Sequence, residues 1–209
     1  MDFNQFLELC TALSQVQSEA NSELIKKVSR HRAKHKLDPN KPARKAAVLC
    51  LLYPGPNNDT FFALTRREEY PGVHSAQVSF PGGKAEREDS SLYQTALRET
   101  EEEIGVAKDS IHYIRALNDL YIPPSNFLVS PFVGYAKSRP EFKTNREVAA
   151  LLEVNLKDLL NEENLKDTVM NFADGKNIET QYFDLNNHKV WGATAIILYE
   201  FRTLIKGLL

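Results

Sequence analysis

Cysteine is scarce. Cys10 and Cys50 are the two in 209 residues, too few for a disulfide framework or a zinc site by themselves. Long apolar runs are also missing. Ala46 to Tyr53 and Ala193 to Tyr199, the second interrupted by Thr194, fall far short of the ~20 residues that a membrane span needs. The opening residues MDFNQFLELC hold acids and no basic head, unlike a secretory signal. Neither charge sign dominates: 26 Lys and Arg against 28 Asp and Glu leave a formal net charge of −2. That balance argues against a uniformly basic nucleic-acid surface and against an acidic disordered chain. No internal repeat or low-complexity tract is visible. What is present is 42% hydrophobic residues, enough for a sizeable core, and an ordinary 26% of charged ones. The expectation is a reduced, cytoplasmic globular protein of one domain, two at most.

The near-neutral total hides two local imbalances. From Lys26 to Lys45 there are nine Lys or Arg residues against one acid, Asp38. From Glu86 to Glu103 there are seven acids against Arg87 and Arg98. The basic stretch reads first as a solvated helix with a charged linker, and second as a surface that binds a polyanion or draws in an anionic substrate. The acidic stretch includes the i,i+4 pair Glu99 and Glu103, whose repulsion costs a helix a few tenths of a kcal/mol. A divalent cation would give such a pair a purpose.

Residues 2–35 read as helical, because Phe3, Phe6, Leu7, Cys10 and Leu13 recur at helical spacing without Pro or Gly. Asp38 to Pro42 breaks that pattern and marks a boundary between a helical extension, residues 1–40, and the main domain, residues 41–209. Ala46 to Tyr53 and Thr60 to Arg66 read as strands joined by the turn cluster Pro54 to Asp59. Further strands are predicted at 78–80, 111–122, 127–136, 147–154 and 182–185. Helices are predicted at 91–104, capped by Ser90 or Ser91 and stopped by Gly105, at 157–160, and at 191–204. Strands interleaved with helices argue for an α/β or α+β sandwich.

The 91–104 helix has two distinct sides. With Glu99 set at zero, Glu102 falls at roughly 300° and Glu103 at roughly 40°, so three carboxylates share one stripe. Tyr93, Leu97, Thr100 and Ile104 form a mostly apolar opposite side. Arg98 sits beside Glu102, in position to brace it. Hard cations such as Mg²⁺ bind through a few carboxylates plus substrate phosphates. Gly82 and Gly83, just upstream, let backbone approach a ligand closely.

This segment resembles the Nudix box, G-x5-E-x7-R-E-U-x-E-E-x-G-U with U a bulky apolar residue. The matching positions are Gly83, Asp89, Arg98, Glu99, Glu102, Glu103, Ile104, Gly105 and Val106. It departs in three ways: Asp89 stands for the first Glu, eight residues rather than seven separate it from Arg98, and Thr100 replaces an apolar residue. Upstream, Leu64-Thr65-Arg66-Arg67 and His74-Ser75-Ala76-Gln77-Val78-Ser79-Phe80-Pro81-Gly82-Gly83 are similar to the extra signature of the coenzyme A pyrophosphatase branch, with Ala76 where that branch has Gly. Asn145-Arg146-Glu147-Val148 and Trp191-Gly192-Ala193-Thr194-Ala195 are similar to two further segments of the branch.

The resemblance implies a Nudix α/β/α sandwich: a mixed β-sheet between helices, with the box as loop-helix-loop. It implies Mg²⁺- or Mn²⁺-dependent hydrolysis of the pyrophosphate bond of coenzyme A or its thioesters, giving 4′-phosphopantetheine (or its acyl form) and adenosine 3′,5′-bisphosphate. Glu99 and Glu103 are then metal ligands, Glu102 a third ligand or a base, Arg98 orients them, and Glu147 supplies a base or an extra ligand. Arg66, Arg67 and Lys84 are candidates for phosphate contacts, and Gly82 and Gly83 for substrate-facing backbone. His74 reads either as a substrate contact or as a hydrogen-bonded structural residue. Two alternatives stand beside this one: hydrolysis of another nucleoside diphosphate derivative such as NADH or ADP-ribose, and a non-catalytic ligand-binding module. The expected partner is a small molecule rather than a membrane or nucleic acid, and the sequence allows a homodimer.

Overall fold

The computed structural model describes residues 1–18, 41–68, 77–171 and 177–209. Alternation of burial builds the central layer. In β1 (Arg44–Pro54) and β2 (Thr60–Arg67), nearly every side chain from Ala46 to Tyr53 and from Phe62 to Thr65 is buried. That is the mark of strands covered on both faces. They form the expected hairpin, with Leu52 opposite Phe62 and Pro54 opposite Thr60. The strand β3 (Val78–Ser79) pairs with β2, and β4 (Gly82–Lys84) pairs antiparallel with β1. On the other side of β1 lies β7 (Phe127–Ala136), parallel to it, followed by β5 (Ile111–Ala116). β6 (Leu120–Ile122) also pairs with β7, and β8 (Val148–Asn155) with β2. One parallel pair among antiparallel ones makes this eight-stranded sheet mixed.

Helices cover both faces. α1 (Phe3–Gln15) opens on a capping box, Asp2 accepting from the Asn4 N–H and Gln5 reaching back to the Asp2 N–H. Its Phe3, Phe6 and Leu13 join a core shared with Phe62, Leu64, Val133 and the apolar face of α4 (Gly192–Lys206). Arg115 holds the far end of α1 by donating to the Leu13 and Val16 carbonyls at 2.7 and 2.8 Å. On the opposite face α2 (Leu92–Ile104) buries Ala96, Leu97 and Ile104 against Ala47, Leu49, Leu51 and Ala63. The short helix α3 (Leu156–Leu160) follows β8 directly. The result is the expected α/β/α sandwich.

Several elements differ from the sequence expectation. Of the helix expected over 2–35, α1 ends at Gln15, and residues 19–40 lie outside the described residues. The single extended stretch expected over 111–122 is two strands, with a register shift between Tyr113 and Arg115. β4 was not expected, because Gly-Gly is a poor strand former. It exists because β1 supplies a partner. A second, three-stranded antiparallel sheet comprises β9 (Leu165–Asn171), β10 (Asn177–Leu185) and β11 (His188–Trp191), of which only residues 182–185 were anticipated. Its polar β9 has no alternating apolar face to reveal it: Lys166, Asp167 and Val169 are all exposed. Among the described residues no helix is long and apolar enough to cross a membrane.

Candidate active site

The site forms where α2 crosses the start of β1 and the Gly82–Gly83 backbone. Ser91 caps α2 by accepting from the Gln94 N–H, and Gly105 ends it with φ 74°. Thr100, the polar substitute in the box pattern, is buried. Its hydroxyl donates to the Ala96 carbonyl at 2.7 Å, which satisfies it within the helix and leaves its methyl for the core.

The three carboxylates of the expected stripe do not share one environment. Glu103 is 5% exposed and accepts from the Gly82 N–H at 3.2 Å, while Arg67 reaches it at 3.6 Å. Burial pushes its carboxyl up to about 7, against the opposing pull of Arg67 and the Gly82 N–H; the charges of Glu99 and Glu147 add to the rise. Glu99 is largely buried, lies against Gly83, and is also pushed up, first by burial. Glu102 is 55% exposed at its side chain and, among the described residues, pairs with Arg98 alone. At 40° from Glu99, Glu103 has turned far enough toward the sheet to be enclosed by it.

Arg98 does more than brace Glu102. It donates to both Asp89 oxygens at 3.0 and 3.1 Å, to Glu99 at 3.0 Å, to Glu102 at 3.3 Å and to the Lys84 carbonyl at 3.1 Å. Asp89 also accepts from the Thr95 hydroxyl and the Glu86 N–H, and these bonds, with Arg98 foremost, hold it far below the usual carboxylate range. The departure from the box pattern at this position therefore forms a partly buried ion pair rather than another free carboxylate.

The remaining candidates separate. Arg67 faces Glu103. Arg66, one residue earlier on β2, projects from the other face by strand alternation, and its buried Nε has no partner among the described residues. Lys84 offers its carbonyl to Arg98 and keeps an exposed side chain. Gly82 supplies its N–H, and its φ of 151° together with contact to β1 leaves no room for a side chain. Glu147 is exposed, just before β8, and its charge is felt at Glu103. His74 lies outside the described residues. Sequence reading missed the Arg67–Glu103 pair and the Asp89–Arg98 pair. Only the extra spacer residue before Arg98 hinted at the second.

Residues 43–172 match the family model of the NUDIX domain. The chain belongs to the Nudix family. The protein of Yersinia pestis (strain Pestoides F) named Uncharacterized Nudix hydrolase NudL is 35% identical over 156 residues, 74% of this chain and 76% of that one. The NudL protein of Yersinia pseudotuberculosis serotype O:3 (strain YPIII) matches to the same extent. Among solved structures, the Nudix hydrolase RenU from M. smegmatis superposes with a TM-score of 0.56 at 16% identity, covering 81% of this chain and 89% of that one. A MutT/nudix family protein from Enterococcus faecalis gives 0.51 at 15% identity, covering 96% and 74%. Both share the fold. As a Nudix hydrolase the chain is a pyrophosphohydrolase, and Glu99, Glu102 and Glu103 fall within the matched region.

The carboxylates suit a hard divalent cation. Glu99 and Glu103 are oxygen donors whose ionised forms are disfavoured by burial, and by the charge of Glu102 at Glu99 and of Glu99 at Glu103, a strain that a cation would relieve. With Arg98 and Arg67 as their partners, no three His, Cys, Asp or Glu side chains among the described residues converge on a metal-sized point. The two guanidinium groups supply the positive charge in this arrangement.

Proposed function

We propose that the protein hydrolyses the pyrophosphate bond of coenzyme A or its thioesters, with Mg²⁺ or Mn²⁺ held by Glu99 and Glu103 and, from its exposed position, Glu102. The products are 4′-phosphopantetheine or its acyl form and adenosine 3′,5′-bisphosphate. The observation that supports this substrate is the meeting of four separate sequence segments at one edge of the sheet. Thr65 and Arg66 of the first pair with Ser79 and Val78 of the second. The Glu68 N–H donates to the carbonyl of Glu147 in the third. The hydroxyl of Thr194, in the fourth, donates to the Val78 carbonyl at 3.0 Å. These are the segments that resemble the coenzyme A branch; the first three reach Glu103 through Arg67, Gly82 and Asn145, and the fourth is tied to the second through Thr194.

Each residue then has a task. The Gly82 N–H and Arg67 fix the Glu103 carboxylate, and Gly83 leaves space for that of Glu99. Arg98, anchored by Asp89, sets the angle of Glu99 and Glu102. Arg67, a third exposed, stands next to the carboxylates, where a pyrophosphate would reach it. Glu147 lies two residues beyond Asn145, whose N–H donates to the Glu103 carbonyl, and accepts a proton from the attacking water. A bound divalent cation supplies charge neutralisation and lowers the pKa of that water. The two free thiols, Cys10 and Cys50, suit work in the reducing cytoplasm.

A kinetic panel of CoA, acetyl-CoA, oxidised CoA, NADH and ADP-ribose with Mg²⁺ or Mn²⁺ tests the substrate. The expected result is the highest kcat/KM among the CoA compounds. A much higher value for NADH or ADP-ribose would overturn the CoA reading and leave the pyrophosphohydrolase intact.

A further inference from the structure

Residues 137–147 connect β7 to β8 and carry Glu147, so the position of Glu147 depends on what holds this loop. Two sets of contacts do so. Near Glu147, the loop backbone caps α2: the Lys143 N–H donates to the Ile104 carbonyl at 3.0 Å and the Asn145 N–H to the Glu103 carbonyl at 3.1 Å. These are end-of-helix carbonyls that α2 itself leaves without partners. The loop crosses so closely that a Cβ on Gly105 would stand 3.0 Å from the Lys143 carbonyl oxygen and Cβ. Asn145 Oδ1 then accepts from the Glu147 N–H at 2.9 Å and turns the chain into β8.

The second set lies at the other end of the loop. Arg139 donates to both oxygens of Glu153 on β8, at 2.9 and 2.6 Å. The fully buried Tyr53 on β1 donates to the same carboxylate at 3.2 Å. Between them sits Phe142, edge-on to the Tyr53 ring at 5.2 Å and beneath the Arg139 guanidinium at 5.6 Å. Phe142 packs on the same core as α2. Tyr53 on β1 and Arg139 in the loop, both tied to Glu153 on β8, thus close on one side chain midway along the loop.

We propose that Phe142 is a positioning residue: gripped between Tyr53 and Arg139, it keeps the loop seated on the C-terminal end of α2 and so holds Glu147 beside Glu103. This rests on the reading of Glu147 as part of the hydrolytic site. Phe142 touches none of the three box carboxylates, and its effect on turnover runs through Glu147.

A double-mutant cycle on the full chain separates this role from a merely structural one. F142A, E147Q and the double variant are assayed for kcat and KM with CoA and Mg²⁺, or with ADP-ribose if the panel selects it. F142Y and the surface variant R139Q are included in case F142A folds poorly. The expected result is that F142A lowers kcat about tenfold with little change in KM, and that F142Y restores it. In the E147Q background F142A should then cost less than about twofold. R139Q should follow F142A in direction, with a smaller loss. Hydrogen exchange should quicken at the Lys143 and Asn145 amides of F142A and stay unchanged in β1 and β7. If E147Q loses turnover while F142A or R139Q keeps it, or if F142A costs the same in both backgrounds, the positioning role is overturned and Glu147 keeps its place. If E147Q itself turns over normally, the reading of Glu147 in the chemistry fails, and this proposal with it.

Discussion

The carboxylate of Glu99 occupies the space where a side chain on Gly83 would begin. A Cβ there would stand 2.4 Å from the Glu99 Cδ and 2.5 and 2.6 Å from its two oxygens. Gly82 is confined by backbone instead: its Cβ would stand 2.3 Å from the Ala47 carbonyl oxygen and 2.6 Å from the Val48 Cα.

The two glycines therefore predict different phenotypes. G83A displaces only the flexible end of Glu99, so the protein should fold with little change in Tm and lose ~10²-fold in kcat. G82A must move β1 and abandon φ 151°, and should lose at least ~2 kcal/mol of stability. Thermal melts beside kcat measurements check both. A well-folded G83A with full turnover would show that Glu99 is free to work from another position.

Arg98 ties the ion pair with Asp89 to the carboxylates that face the site. Asp89 and Arg98 are partly buried, so R98A strands a charge with little water around it and should cost about 2 kcal/mol, together with most of kcat. R98K keeps the charge but not the two-pronged contact with Asp89 and should fall between the two. D89N tests the same pair through pH. Because Asp89 is held below its ordinary value, its stabilising contribution is complete above the usual carboxylate range and is lost as the pH falls through it and below. Denaturant titrations should show D89N less stable than the parent at neutral pH, with the gap narrowing in acid.

Much of this was legible in the sequence, and what was missed has physical causes. The β1–β2 hairpin and α2 were readable because each has a strong signal: apolar runs flanking a turn, and a periodic face with Ser91 before it and Gly105 after it. The spacing also placed Glu99, Glu102 and Glu103 on one side of a helix. It was blind to how far that helix rolls onto the sheet, which is what buries Glu103 and leaves Glu102 in solvent. β4 owes its existence to a partner 34 to 38 residues away, with Gly82 against Val48, Gly83 against Ala47 and Lys84 against Ala46, and β9 to its pairing with β10; neither has a local pattern to read. The opposed directions of Arg66 and Arg67 follow from strand alternation, but their meaning required knowing which face α2 covers.

The split among the carboxylates predicts an order of effects. Glu99 and Glu103 are enclosed and fixed, so E99Q and E103Q should each lower kcat by ~10²-fold or more. Glu102 is exposed and held by the exposed side of Arg98, so E102Q should cost about tenfold or less. EDTA should abolish turnover in the parent, and added Mg²⁺ or Mn²⁺ should restore it. Undiminished activity in EDTA, or E102Q proving the most damaging of the three, would refute this assignment.

The burial of Glu103 also sets a conflict between stability and function. In the unfolded chain its carboxyl titrates near an ordinary Glu, ~4.3. In the folded chain burial raises it to about 7. Between those values the folded state binds the proton more tightly, so this group's contribution to stability declines as the pH rises through that window, and the deficit is complete above it. The full effect amounts to at most about 4 kcal/mol. E103Q carries no such titration and can still accept from the Gly82 N–H. Its Tm relative to the parent should therefore climb as the pH is raised from about 5 to about 8. Added Mg²⁺ should close the gap at the upper end by stabilising the parent and not the variant. A Tm difference that stays flat across this pH range would mean that Glu103 ionises in the fold as freely as it does in water.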